Sequence, residues 1–125
     1  MDALVVDAST ALDWLLGGGS PPGDEVRLHA PTAIDYEVQS ALRRRVLLGQ
    51  LAPVTGREAL AAFGLLEIMR HPAHAFAERM WDMRENISTY DAAYVALAEA
   101  LGIPLMTSDR RLARTAGTYC EVAPS

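Results

Sequence analysis

Four carboxylates stand where the local pattern of the chain calls for something else. Asp7 closes the apolar run Leu4-Val5-Val6, and Glu37 interrupts the apolar face of a helix. Asp91 opens a later helix on its inward face, and Asp109 follows the segment Pro104-Leu105-Met106-Thr107-Ser108. Acids gathered at one place repel each other unless a cation joins them. Three or four Asp and Glu oxygens, without nearby His or Cys, suit Mg²⁺ or Mn²⁺ rather than zinc. A site of that kind activates water and neutralises phosphate charge, the requirements of a metal-dependent nuclease.

Taken singly, each acid has an ordinary structural explanation. Asp7 fits a strand-to-helix turn, and Asp109 fits the N-cap of a short helix. Ser88-Thr89-Tyr90-Asp91 fits a capping box with Asp91 at the third helical position. Glu37 is hardest to explain this way. Positions 34, 37, 38, 41 and 42 share one helical face, which puts Glu37 among Ile34, Val38, Ala41 and Leu42. A charge there is costly unless an arginine pairs with it or a metal binds it. Ser9 and Thr107 lie close in sequence to Asp7 and Asp109, where their hydroxyls can orient the acids or serve only as cap and strand filler.

The elements that must position these residues follow from pattern. Residues 4–7 read as a short buried strand, and Ser9 as the N-cap of a helix running to Leu16. Residues 17–23, with Pro21 and Pro22, form a loop, and residues 27–30 a second strand. A helix spans 32–48 and stops at Gly49, with a stripe of Ile34, Val38, Ala41, Leu42 and Val46. Residues 55–69 form another helix, with Thr55 as cap and Glu58 completing a capping box. Arg70-His71-Pro72 breaks it. Further helices span 73–84 and 88–101, the latter closed by Gly102 and followed by Pro104. A strand at 105–107, a helix at 109–116 and a strand at 119–122 complete the chain. Strands alternating with helices predict an α/β domain with a mainly parallel sheet. In such sheets ligands bind beyond the carboxyl ends of the strands, the edge to which Asp7 and Asp109 belong.

The bulk properties narrow the function. Residues 1–125 are expected to form one domain, half hydrophobic and 22% charged. No run of about 18 apolar residues is present, so no membrane span is expected. The start, Met1-Asp2 leading into a strand-like run, shows no secretory signal, and a cytoplasmic location is the default expectation. The single Cys120 permits no internal disulfide. A net charge of −5 argues against nucleic-acid binding through global charge, while leaving room for a basic rim. Arg43, Arg44, Arg45, Arg110, Arg111 and Arg114 are candidates for that rim, with solvated helix faces the alternative for each. Tyr36, Tyr90 and Tyr94 lie near the acids, where helix packing explains them as well as base stacking does. Trp14 and Trp81 suit a core or a dimer interface. His29, His71 and His74 show no ligand spacing. All 11 basic residues are arginine. The absence of lysine excludes a P-loop at Gly17-Gly18-Gly19-Ser20. It also argues against haloacid-dehalogenase phosphatases and response-regulator receivers, which by resemblance use a lysine near the phosphate.

Four segments together carry a family resemblance. They are Val5-Val6-Asp7-Ala8-Ser9, Tyr36-Glu37-Val38, the run from Tyr90-Asp91-Ala92-Ala93-Tyr94 to Ala98, and Leu105-Met106-Thr107-Ser108-Asp109-Arg110-Arg111-Leu112. In this order and over almost the whole length, the chain resembles the PIN-domain ribonucleases, and among them the VapC toxins of bacterial toxin–antitoxin pairs. The resemblance implies a PIN fold, a central parallel sheet flanked by helices. It implies Mg²⁺-dependent endoribonuclease activity, with Mn²⁺ as a substitute, and Asp7, Glu37, Asp91 and Asp109 as the catalytic quartet. Asp7 and Asp91 are the expected direct metal ligands, Asp109 a ligand directly or through water, and Glu37 the holder of a second ion or of the attacking water. It further implies a homodimer, an RNA substrate and a small VapB-type antitoxin that blocks the site. The alternative is a catalytically silent PIN-like module that binds an antitoxin or RNA without cutting.

Overall fold

Leu4, Val5 and Val6 are buried on both faces of a sheet, as a continuous apolar run in a parallel strand requires. They form β1 (Ala3–Val6), the middle strand of five. The computed structural model describes residues 2–125. Among them, β1 is followed by α1 (Ala8–Leu15), β2 (Arg27–Pro31), α2 (Ala33–Leu47), α3 (Pro53–Leu65) and β3 (Ile68–His71). A 3₁₀ turn at Ala73–Phe76 leads into α4 (Ala77–Asp82), α5 (Thr89–Leu101), β4 (Leu105–Met106), α6 (Arg110–Ala116) and β5 (Val122–Ala123). No helix among the described residues is long and apolar enough to cross a membrane.

All four strand pairings are parallel, and the sheet order is β3-β2-β1-β4-β5. The chain lays down β2 and β3 to one side of β1 and then returns to add β4 and β5 on the other. The connections leaving β1 and β4 therefore diverge, and a crevice opens beyond their carboxyl ends. Register fixes this junction: Val5 pairs with Leu105 and Val6 with Met106, and Asp7 N–H donates to Met106 O at 3.2 Å.

Three elements differ from the reading of the pattern. The helix predicted over 55–69 begins earlier, at Pro53, whose fixed φ suits the first helical position. Thr55 and Glu58 consequently lie inside the helix rather than forming its capping box. The helix stops at Leu65, and Ile68–His71 pair with β2 in the register Leu28↔Ile68 to Pro31↔His71. The apolar spacing of this segment does not distinguish a helix tail from an edge strand; the ladder with β2 decides it. At the front of α1 the N-cap is Asp7, not Ser9, because the carboxylate accepts the Thr10 N–H at 3.0 Å. The segment 73–84 is helical only in part, as a 3₁₀ turn and the short α4.

Helix α5 forms as its caps dictate. Ser88 Oγ accepts from Asp91 N, and Gly102 closes the helix at φ 65°, a left-handed conformation that glycine takes without a Cβ penalty. Its residues Ala92 to Ala98 are all buried, on every side of the helix. A helix apolar all round belongs in the core, and its many alanines let it pass close to β1 and β2. Helix α2 buries Ile34, Val38 and Leu42 at i, i+4 spacing. Gly56 of α3 meets it closely: a Cβ there would lie 3.0 Å from Val46 Cγ2.

Candidate active site

Asp7 stands at the carboxyl end of β1, where α1 begins. The strand buries it to 5% exposure, and three donors hold its oxygens. Oδ1 accepts from Ser9 Oγ at 2.8 Å and Thr10 N at 3.0 Å, and Oδ2 accepts from Thr107 Oγ1 at 2.5 Å. Burial pushes the Asp7 pKa above the usual carboxylate range, against the pull of these hydrogen bonds.

Thr107 lies just past β4 and joins two of the four acids. Its hydroxyl donates to Asp7 and accepts the Asp109 N–H at 3.0 Å. Asp109 caps α6, with Oδ1 accepting Arg111 N at 2.9 Å and Leu112 N at 3.1 Å. Ser108 completes the loop. Its N–H donates to Ser9 Oγ at 3.2 Å, and its hydroxyl donates to Asp13. A web of hydroxyls thus ties α1 to the loop after β4, the two elements that diverge at the crevice.

Glu37 reaches the same place from α2. It is half-buried, and its Oε1 accepts from the Tyr94 hydroxyl at 2.7 Å. The pattern of α2 left open an arginine partner for Glu37; its hydrogen-bond partner is instead a tyrosine. Burial raises the Glu37 pKa, the Tyr94 hydrogen bond opposes the rise, and the charges of Asp91 and Asp7 add to it. Asp91, half-buried in the first turn of α5, supplies the larger of those two repulsions. Three carboxylates from β1, α2 and α5 therefore share one electrostatic neighbourhood, with Asp109 linked to it through Thr107.

Tyr94 is the residue whose role the sequence left undecided. At 1% exposure it has no face for a nucleobase. Its hydroxyl is spent on Glu37, and burial, that hydrogen bond and the surrounding carboxylates raise its pKa. The periodicity of α5, which puts positions 91, 94 and 95 on one face, was the signal available for this contact. Tyr36 and Tyr90, by contrast, are 80% and 64% exposed. Trp81 is also exposed, outside the core, while Trp14 packs against it. His29 and His71 form a pair, with Nδ1 and Nε2 3.0 Å apart on neighbouring strands.

The donor set suits a hard cation. Asp7 and Glu37 are restrained by hydroxyls and a backbone amide, so a positive charge entering between them and Asp91 relieves their repulsion. Among the described residues, no group of three or more His, Cys, Asp and Glu is placed to hold a metal ion by itself. Mg²⁺ does not require one: it keeps several waters and binds through one or two carboxylates together with substrate phosphate.

A PIN domain family model matches residues 4–118. Ribonuclease VapC9 of Mycobacterium tuberculosis is 43% identical over 121 residues, covering 95% of each chain. Ribonuclease VapC1 of the same species is 41% identical over 129 residues, covering 98% of this chain and 97% of its own. Among solved structures, PAE2754 from Pyrobaculum aerophilum superposes with a TM-score of 0.69 at 20% identity, over 98% of this chain and 88% of that one. VapBC-5, a member of the VapBC family of toxin–antitoxin systems from M. tuberculosis, superposes with a TM-score of 0.60 at 20% identity, over 99% and 98%. The structural likenesses establish the same fold.

Proposed function

The chain belongs to the PIN domain family, and on that premise we propose that it is a Mg²⁺-dependent endoribonuclease, the toxin of a VapBC-type pair. One observation carries the reading. The charges of Asp91 and Asp7 both raise the pKa of Glu37 near the point where the sheet's connections diverge, and the hydrogen-bond donors on Asp7 and Glu37 are all uncharged. The relatives named as VapC ribonucleases at 43% and 41% identity support RNA as the substrate, and the VapBC neighbour supports an antitoxin partner.

Asp7 and Asp91 are the residues that would hold Mg²⁺, with Asp109 completing the set directly or through water. When bound, the ion supplies positive charge for the phosphate and lowers the pKa of water. Ser9 and Thr107 aim the Asp7 oxygens, and the tight bond from Thr107 restrains that carboxylate from turning away from the crevice. Attack of water on phosphorus forms one P–O bond, breaks another and releases a proton. Glu37, whose pKa lies above the ordinary value, is suited to orient that water and take its proton. Tyr94 fixes Glu37 for the task by leaving one carboxylate oxygen bonded and the other available. A homodimer working in the cytoplasm, where RNA is abundant, completes the proposal.

The test is mapping of RNA ends after brief induction in cells. The wild type is expected to generate new ends at a small set of sites, and Asp7→Asn and Asp91→Asn none. The same ends from wild type and both variants would refute the assignment. Intact antitoxin or RNA binding without new ends would identify a silent binding module instead.

A further inference from the structure

Two exposed tyrosines directly precede two of the acids: Tyr36 before Glu37 on α2, and Tyr90 before Asp91 on α5. They line one groove of about 670 Å³ together with Glu37, and with Arg44 and Arg45 further along α2. The helix explains the layout. Tyr36, Ser40 and Arg44 follow at i, i+4 and i+8 and form one stripe, while Glu37, Ala41 and Arg45 form the next. At 1.5 Å per residue, Tyr36 and Arg44 are about 12 Å apart along the axis. Along α2 the groove thus runs from Tyr36 and Glu37 to a pair of guanidinium groups, with Tyr90 of α5 also in its wall.

Core packing accounts for neither exposed tyrosine. Tyr36 and Tyr90 leave more than half of their surface in water, and neither is part of the hydrophobic core. The three described ion pairs use Arg70 and Arg79, not Arg44 or Arg45. Aromatic faces with arginines beside them are what a single nucleic-acid strand needs: bases stack on the rings and phosphates meet the guanidiniums. A net charge of −5 makes this local pair of cations the more distinctive.

We propose that this groove is the substrate subsite for an unpaired stretch of RNA beside the scissile phosphate. Tyr36 and Tyr90 stack on its bases, and Arg44 and Arg45 contact its backbone. The proposal rests on the ribonuclease reading for its ligand, and it adds a requirement: the nucleotides next to the cut must be unstacked to enter. These four residues position substrate and take no part in proton or metal chemistry.

Binding of a fluorescent single-stranded oligoribonucleotide, measured by anisotropy in excess chelator, separates this proposal from cleavage. Tyr36→Ala and Tyr90→Ala are each expected to weaken binding about tenfold, the size of one base–aromatic stack, and Tyr36→Phe to leave it within about twofold. Arg44→Gln should lower the slope of log affinity against log salt by about 0.7, one phosphate contact on a single strand. The same oligonucleotide annealed to its complement should bind indifferently to the tyrosine substitutions. The tyrosine variants should unfold at the wild-type temperature, since both rings are exposed. Single-strand affinity unchanged in both Ala variants would overturn the proposal and leave the groove to a peptide partner. So would wild-type protein that does not bind the strand at all. Lost affinity in the Ala variants, with no RNA cleavage by wild type in Mg²⁺, would keep the subsite and refute the ribonuclease. Normal cleavage with unchanged affinity would do the reverse.

Discussion

Replacing Tyr94 by Phe removes one hydroxyl from a ring that is 1% exposed and changes little else in the packing. The lost contact is the 2.7 Å hydrogen bond to Glu37 Oε1. A hydrogen bond to a charged group contributes about 1.5–3 kcal/mol when both partners are buried. Glu37 is only half-buried, and water reaching the carboxylate replaces part of the loss, which brings the expectation to about 1–2 kcal/mol. For a domain of this size that is a fall of about 5 °C in Tm. The pH dependence supplies a sharper signature. The hydroxyl favours the ionised form of Glu37, so its removal moves a pKa that is already raised still higher. A carboxyl with a folded pKa above its unfolded value binds more protons when folded. Its unfavourable contribution is therefore complete above the folded pKa and relieved as pH falls through it. The gap between wild type and Tyr94→Phe should be widest near about pH 8 and should narrow toward about pH 4, below the ordinary value for Glu. Thermal unfolding in chelator at several pH values measures it. A variant as stable as wild type at high pH, or a gap that does not change with pH, would refute the coupling of this hydroxyl to the carboxylate.

Thr107→Val removes the donor to Asp7 Oδ2 and the acceptor for Asp109 N–H in a buried position, and should cost about 2 kcal/mol by denaturant unfolding. Asp7→Asn, measured in chelator at neutral pH, should unfold at the same temperature as wild type or higher, because ionising this buried acid is unfavourable. In wild type that cost is relieved as pH falls through the raised Asp7 pKa, so the advantage of the variant should shrink in acid. Gly102→Ala places a Cβ on a residue at φ 65° and should lower stability by about 1 kcal/mol without changing RNA cleavage.

The candidate site was more legible in the sequence than the elements that carry it. Glu37 stood out because a charge amid Ile34, Val38 and Leu42 breaks an apolar face, and the break survives whatever the tertiary arrangement. Asp7 and Asp109 stood out because both follow apolar strand runs, and strand order alone then decides that they share an edge. Ser88 and Gly102 bounded α5 correctly because caps act within a single turn. The missed strand Ile68–His71 belongs to the other kind of problem. Its fate depends on pairing with β2, forty residues away in sequence, and nothing local to Ile68-Met69-Arg70-His71 encodes that partner. Pro53 displaced Thr55 as the start of α3 for a local reason, its preformed φ, that outweighs a capping box. The partner of Glu37 was hidden because it comes from a residue 57 positions later, and a buried tyrosine reads in sequence as core.

The central claim is that Asp7, Glu37 and Asp91, with Asp109 linked to them through Thr107, make a Mg²⁺-dependent centre for cutting RNA. Its most direct test is single-turnover cleavage of a structured RNA by purified protein, with Mg²⁺ and with excess chelator, for wild type, Asp7→Asn and Asp91→Asn. Cleavage by wild type that needs the ion and falls at least about 100-fold in each variant is the predicted result. Variants that cut at the wild-type rate in Mg²⁺, or wild-type cleavage that persists in chelator, would contradict it.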